Sequence, residues 1–156
     1  MITIDKVTAG DALPSLSYDV TSTTVVLGAL ATRDWRPQHH DYHFATERNG
    51  VKDIFLNTPN QAAWFERYIT DWTGPRGRLG RMTFRMHDSV FPGDTMTIAG
   101  VVTDVISDDT GCGWVGLDIT LTTGDSRVCT TCQARVAVPV SPDDNPWSRS
   151  RDSWRP

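Results

Sequence analysis

Residues 57–75, NTPNQAAWFERYITDWTGP, carry the strongest helix signal in the chain. Thr58 is a natural N-cap, and Pro59 suits the first helical position, where its missing N–H has no partner to lose. Gly74 and Pro75 supply the stop. Between these signals Ala62, Phe65, Ile69 and Trp72 recur at spacings of three and four, which lays one apolar stripe along a helical face. The spacing predicts a single amphipathic helix of about fifteen residues that must bury that stripe.

Downstream of it the period changes to two. LGRMTFRM (79–86), DTMTIAGVVTDVIS (94–107), WVGLDITLTT (114–123) and RVCTTCQARVAV (127–138) read as strands, with GD, DDTG and TGD as turns between them. One long helix followed by successive antiparallel strands predicts an α+β domain whose sheet wraps that helix. Upstream, ITIDKV (2–7) is a strand candidate, and SLSYDVT (15–21) is a second extended segment with Leu16, Tyr18 and Val20 on one face. Thr21 and Ser22 then offer an N-cap to VVLGALAT (25–32), apolar enough for a short buried helix. Residues 1–140 are read as one domain. Residues 141–156 lose periodicity and gain Pro, Ser and charge, so they read as a tail, ordered only if something holds Trp147 and Trp154.

Composition narrows the function classes. The 156 residues are 38% hydrophobic and 22% charged, as in ordinary globular proteins. A net charge of −4 offers no basic field for nucleic acid or an anionic membrane surface. No apolar run approaches the roughly 20 residues a bilayer span needs, and MITIDKVTAG lacks the basic and apolar regions of a signal peptide. A cytoplasmic location is the expectation. An odd number of cysteines, three, suits a reducing compartment better than a disulfide framework.

The chemistry concentrates in RDWRPQHHDYHFA (33–45), which holds three of the four histidines and two aspartates. It reads as a metal site, an acid/base pair or a polar loop. The metal reading would use His39, Asp41 and His43, but the chain has no second ligand cluster to complete a first shell. Elsewhere, GCGWVG (111–116) matches the dinucleotide fingerprint in letters only, since it leads into a strand instead of opening a helix. Cys129 and Cys132, three apart on a strand, point to opposite faces. His87, Asp88 and Ser89 are chain neighbours, the wrong arrangement for a triad assembled in space.

Asp34, Pro37, His39, Asp41, Phe44 and Ala45 resemble the hydratase motif of the MaoC-like (R)-specific enoyl-CoA hydratases. The helix before Asp34, KDIFLNTP (52–59), the long helix and VFPGDTMTIAGVVTDV (90–105) also fall where that family places counterparts, so the likeness covers roughly residues 8–138. More narrowly, LATRDWRPQHHD (30–41), KDIF (52–55) and RYITDWTGP (67–75) resemble the small MaoC-like subunit of actinobacterial steroid side-chain enoyl-CoA hydratases.

The resemblance implies a hotdog fold and addition of water to a trans-2-enoyl-CoA, the acyl group being a steroid with a shortened side chain. By the same resemblance Asp34 is the general acid/base and His39 holds the water and helps move its proton. The thioester oxygen would meet a backbone N–H of Asp53 or Ile54, where the family often has a His-Gly pair. Asn57, Arg78 and Arg81 are expected to bind substrate, the arginines drawn from a basic set (Arg76, Arg78, Arg81, Arg85) that otherwise reads as a solvated face. The expected partner is a second MaoC-like chain, with homodimerisation as the alternative. No metal is implied, and no cofactor beyond the coenzyme A carried by the substrate. Arg36 stands where the family keeps Asn, and Gln38 where it keeps an apolar residue. A hotdog thioesterase would want an acid on the long helix, where Glu66 and Asp71 are the carboxylates available. A non-catalytic partner subunit is the remaining rival.

Overall fold

The long helix, α2, spans Thr58–Thr73 in the computed structural model, which describes residues 2–124 and 126–156. Its N-cap is Asn57 and not Thr58: the Asn57 side chain accepts the Asn60 N–H at 3.2 Å, and an amide oxygen is among the best caps. Thr58 turns its hydroxyl to Met86 instead. Gly74 ends the helix with φ 77°, a left-handed conformation that favours glycine. The buried stripe runs through Gln61, Phe65, Tyr68, Ile69 and Thr73, so it is more polar than the apolar spacing alone implies. The Gln61 Oε1 accepts the Thr130 hydroxyl at 2.7 Å, while its Nε2 has no partner among the described residues.

Five strands form the sheet: β1 (Leu16–Asp19), β2 (Arg78–Met86), β3 (Thr95–Ser107), β4 (Gly113–Thr122) and β5 (Val128–Val138), in the order β1-β3-β4-β5-β2. Every pairing is antiparallel. Met96 and Ile98 of β3, Leu117, Ile119 and Leu121 of β4, and Val136 and Val138 of β5 join Phe65, Tyr68 and Ile69 in one buried cluster. This sheet wrapped on a single helix is the hotdog arrangement.

Two expectations fail near the N-terminus. ITIDKV makes no strand: Ile4–Lys6 closes a 3₁₀ turn through Lys6 N–H to Thr3 O, and Ile4 meets the chain at Pro139 O (2.9 Å) instead of a sheet edge. The helix α1, Ser22–Ala31, is capped by Thr21 in a reciprocal capping box with Thr24. It buries only Val25 and Ala29, while Leu27 and Leu30 stay 57% and 45% exposed, so it is not the buried helix its composition suggests.

The C-terminal tail folds back on the sheet. Trp154 packs on Trp114, ring centroids 4.9 Å apart, and with Cys112 and Ala137 forms a second small cluster. Alternation along β4 puts Trp114 on the face away from Val115 and α2. The Trp147 indole N–H donates to Gly77 O at 3.2 Å, so the condition for an ordered tail is met.

Candidate active site

The site begins where α1 ends. Arg33 N–H donates to Leu30 O (3.1 Å) and Asp34 N–H to Ala29 O (2.9 Å), the paired bonds of a Schellman stop. The residue between helix and Asp34 must then be left-handed, and Arg33 has φ 54°. A side chain in that conformation costs about 1 kcal/mol relative to glycine. Pro37 opens a 3₁₀ turn, Pro37–His39, closed by His40 N–H to Pro37 O at 3.0 Å. The stop aims Asp34 and the turn aims His39 at the same point.

His39 is buried, its ring edge against Phe55 with centroids 4.9 Å apart. Nδ1 lies 2.8 Å from Phe55 O. A carbonyl only accepts, so Nδ1 carries a proton, and in the neutral ring Nε2 presents a lone pair. That Nε2 lies 3.6 Å from Asp34 Oδ2, too long for a direct hydrogen bond. Two acceptors facing each other across that gap are both satisfied by one water donating to each.

Asn57 sets the state of Asp34. Its Nδ2 donates to Asp34 Oδ2 at 3.0 Å and to Thr32 Oγ1 at 2.8 Å, while its Oδ1 caps α2. The hydrogen bond from Asn57 holds the Asp34 carboxyl below the usual carboxylate range, against the opposing effect of burial; the Arg36 N–H and the Arg36 charge add to the lowering. Asp34 is therefore ionised at neutral pH, ready to accept a proton. Around the pair lies a cleft of about 670 Å³, walled by residues 32–36, by Thr58, Pro59 and Ala62 of α2, and by Phe84 of β2. That volume suits an organic ligand.

No family model matches the chain. The beta subunit of the 3-oxo-4,17-pregnadiene-20-carboxyl-CoA hydratase of Mycobacterium tuberculosis is 38% identical to it over 96 residues, 62% of this chain and 74% of that subunit. The chain belongs to the MaoC-like hydratase family. A solved structure of the ChsH1-ChsH2 complex from Mycobacterium tuberculosis matches this MaoC-like chain at 28% identity and a TM-score of 0.76, over 84% of this chain and 98% of that one. R-hydratase PhaJ1 from Pseudomonas aeruginosa shares the fold, with a TM-score of 0.79 at 16% identity over 90% and 87% of the two chains.

The other expected site residues of this MaoC-like chain are placed differently. Asn57 is only 1% exposed with both side-chain N–H groups engaged, so it positions Asp34 and has no donor left for substrate. Arg78 and Arg81 do not line the cleft. Arg78 donates to Pro146 O (3.2 Å) and Arg149 O (2.8 Å) and stacks 3.6 Å over Trp154, while Arg81 donates to Pro156 O at 2.9 Å. Their guanidinium groups hold the tail, as does Arg76, which donates to Pro142 O. The Ile54 N–H is taken by the Asp53 carboxylate at 2.7 Å, which leaves the Asp53 N–H as the amide of that pair with no partner among the described residues.

The remaining histidines of the motif serve the loop. His40 bonds Trp35 O (3.3 Å), His43 pairs with Glu47 on the surface, and Asp41 caps the Phe44 N–H at 3.1 Å. Burial raises the thiols of Cys112 and Cys129 and pushes Cys132 up to about 12, so they stay protonated at neutral pH and are poor nucleophiles. The α2 carboxylates Glu66 and Asp71 are exposed, with Asp71 paired to Arg67 at 3.4 Å. The sequence reading missed the link from Asn57 to Asp34. Its one sequence signal was an Asn directly before Thr-Pro, the place of a helix cap.

Proposed function

We propose that this chain is the Asp/His-bearing subunit of an enoyl-CoA hydratase, adding water to a trans-2-enoyl-CoA to give a 3-hydroxyacyl-CoA. The observation that carries this reading is the pairing of an ionised Asp34 with a His39 Nε2 lone pair 3.6 Å away, two acceptors that one water can bridge. Such a water points its own oxygen lone pair into the cleft. As that oxygen bonds to C3, Asp34 takes a proton from it, the C2–C3 π electrons move to C2 and the thioester, and C2 then takes a proton from the same pair. The negative charge that builds on the thioester oxygen calls for an N–H donor, and the unpartnered Asp53 amide is our candidate for it.

The acyl group we infer is a steroid with a shortened side chain, because the relative named above acts on a pregnadiene carboxyl-CoA. We likewise infer pairing with a second MaoC-like chain, since that relative is a beta subunit and the similar ChsH1-ChsH2 structure is a complex. The solvent-facing carboxylates of α2 argue against a thioesterase.

The test is to purify the chain with its native partner and assay three substrates: a linear trans-2-enoyl-CoA, a steroid side-chain enoyl-CoA and a saturated acyl-CoA. Loss of the conjugated-thioester absorbance with the steroid substrate, faster than with the linear one, is the expected result. Release of free thiol from the saturated acyl-CoA without hydration of either enoyl-CoA would sink the proposal.

A further inference from the structure

Arg33 is an unusual residue to find at a helix stop. It occupies the left-handed position with φ 54°, where glycine sits without strain and an arginine does not. Its side chain lines the Asp34–His39 cleft and is exposed. It has no ion pair or side-chain hydrogen bond among the described residues. Of the other cations, Arg36 also lines the cleft but has its Nε 3.9 Å from Asp34, Arg67 pairs with Asp71, and Arg76, Arg78 and Arg81 bind tail carbonyls; Arg48 and Arg85, also exposed and without a partner among the described residues, do not line the cleft. A strained conformation kept at the lip of a reactive cleft, with its charge unspent on the protein, points to a ligand that supplies the missing anion.

We propose that Arg33 binds a phosphate of the substrate's coenzyme A and so sets the substrate's position over Asp34. The proposal rests on the hydratase reading above. Coenzyme A is the polyanionic part of any acyl-CoA, and a guanidinium engages phosphate with two parallel N–H donors. Arg33 takes over the role that the sequence reading assigned to Arg78 and Arg81. It lies on the cleft wall, so a phosphate held there anchors the far end of the pantetheine arm that carries the thioester toward Asp34. Arg33 is a substrate-positioning residue and takes no part in proton transfer.

The variants Arg33→Gly and Arg33→Asn test this without threatening the fold, because glycine and asparagine both accept the left-handed conformation. Arg33→Gly should melt roughly 2–4 °C higher than the wild type. In the purified complex, both variants should raise KM for the enoyl-CoA about tenfold while kcat stays within about twofold. KM for the pantetheine thioester of the same acyl group, which lacks the phosphates, should not change. Arg33→Lys should recover part of the loss. Titration of free coenzyme A by calorimetry gives a second reading that needs no turnover, with binding about tenfold weaker in both variants. If the wild-type complex hydrates no enoyl-CoA while both variants still bind coenzyme A more weakly than it does, the hydratase reading is refuted and the role of Arg33 is supported. Unchanged coenzyme binding, or an equal rise in KM for the pantetheine thioester, would overturn the Arg33 proposal and leave hydration standing.

Discussion

Asn57 does two things with one side chain: its oxygen starts α2 and its nitrogen holds Asp34 ionised. Replacement by aspartate keeps a capping oxygen but exchanges the donor for a second carboxylate beside the first. Like charges at that distance raise the pKa of one of them. In Asn57→Asp the acid limb of the kcat/KM profile should therefore move up by roughly one pH unit or more; a limb that stays in place would show that Asn57 does not control Asp34. Asp108 presents the same physics away from the site. Its carboxylate accepts from the Thr110 hydroxyl (2.6 Å), the Thr110 and Cys112 N–H groups and the Trp114 indole (2.8 Å), and it lies well below the usual carboxylate range. A carboxyl depressed in the fold contributes stability that is fully present above its ordinary pKa and lost as pH falls through the depressed value. Asp108→Ala should cost about 2–3 kcal/mol at neutral pH. It should also flatten the acid side of the curve of Tm against pH, and an equal Tm loss at every pH would count against this account.

The elements differ in how plainly the sequence announced them. Periodicity placed α2 and the strands β3 to β5, because each buries one face against the same core and burial leaves a repeat in the sequence; β2 alternates only between half-buried and exposed, and β1 forms although only Leu16 is partly covered and Tyr18 is exposed. Periodicity failed for ITIDKV, whose alternation is not used for pairing; α1 forms where expected, but its apolar run is covered at Val25 and Ala29 and exposed at Leu27 and Leu30. In the site, the Asp34 and His39 motif was readable because spacing within one loop survives in the chain. The Asn57 contact and the engagement of Arg78 join residues 23 and 68 or more positions apart, and no local pattern records such pairs. The tail depends on that second contact and on Gly80, which stands at the β2–β5 register shift and where an added Cβ would lie 2.5 Å from the Trp114 ring. Arg78→Ala should lower Tm by several degrees while leaving KM for the enoyl-CoA unchanged. A raised KM with an unchanged Tm would return Arg78 to substrate binding. Gly80→Ala should likewise loosen the tail, seen as faster proteolysis between residues 141 and 156 than in the wild type.

In the molecule as a whole, large apolar side chains stand exposed around the site. Leu27 and Leu30 on α1 and Trp35 beside Asp34, the last 66% exposed, lie on or next to the loop that carries the chemistry. Within the described residues no helix is long and apolar enough to cross a membrane. The heteromer we infer predicts that the native chain elutes with a second MaoC-like chain and that native mass spectrometry finds both in one particle. A homodimer of full activity would discard the partner while keeping the Asp34 and His39 chemistry. That chemistry is tested by the hydration rate of a trans-2-enoyl-CoA by complexes carrying Asp34→Ala or His39→Ala. Removing one member of an acid/base pair should cost roughly 10²- to 10⁴-fold in kcat, with the complex intact and its Tm close to that of the wild type. If both variants hydrate the substrate at the wild-type rate, the chemistry lies elsewhere and the site described here is not the active site.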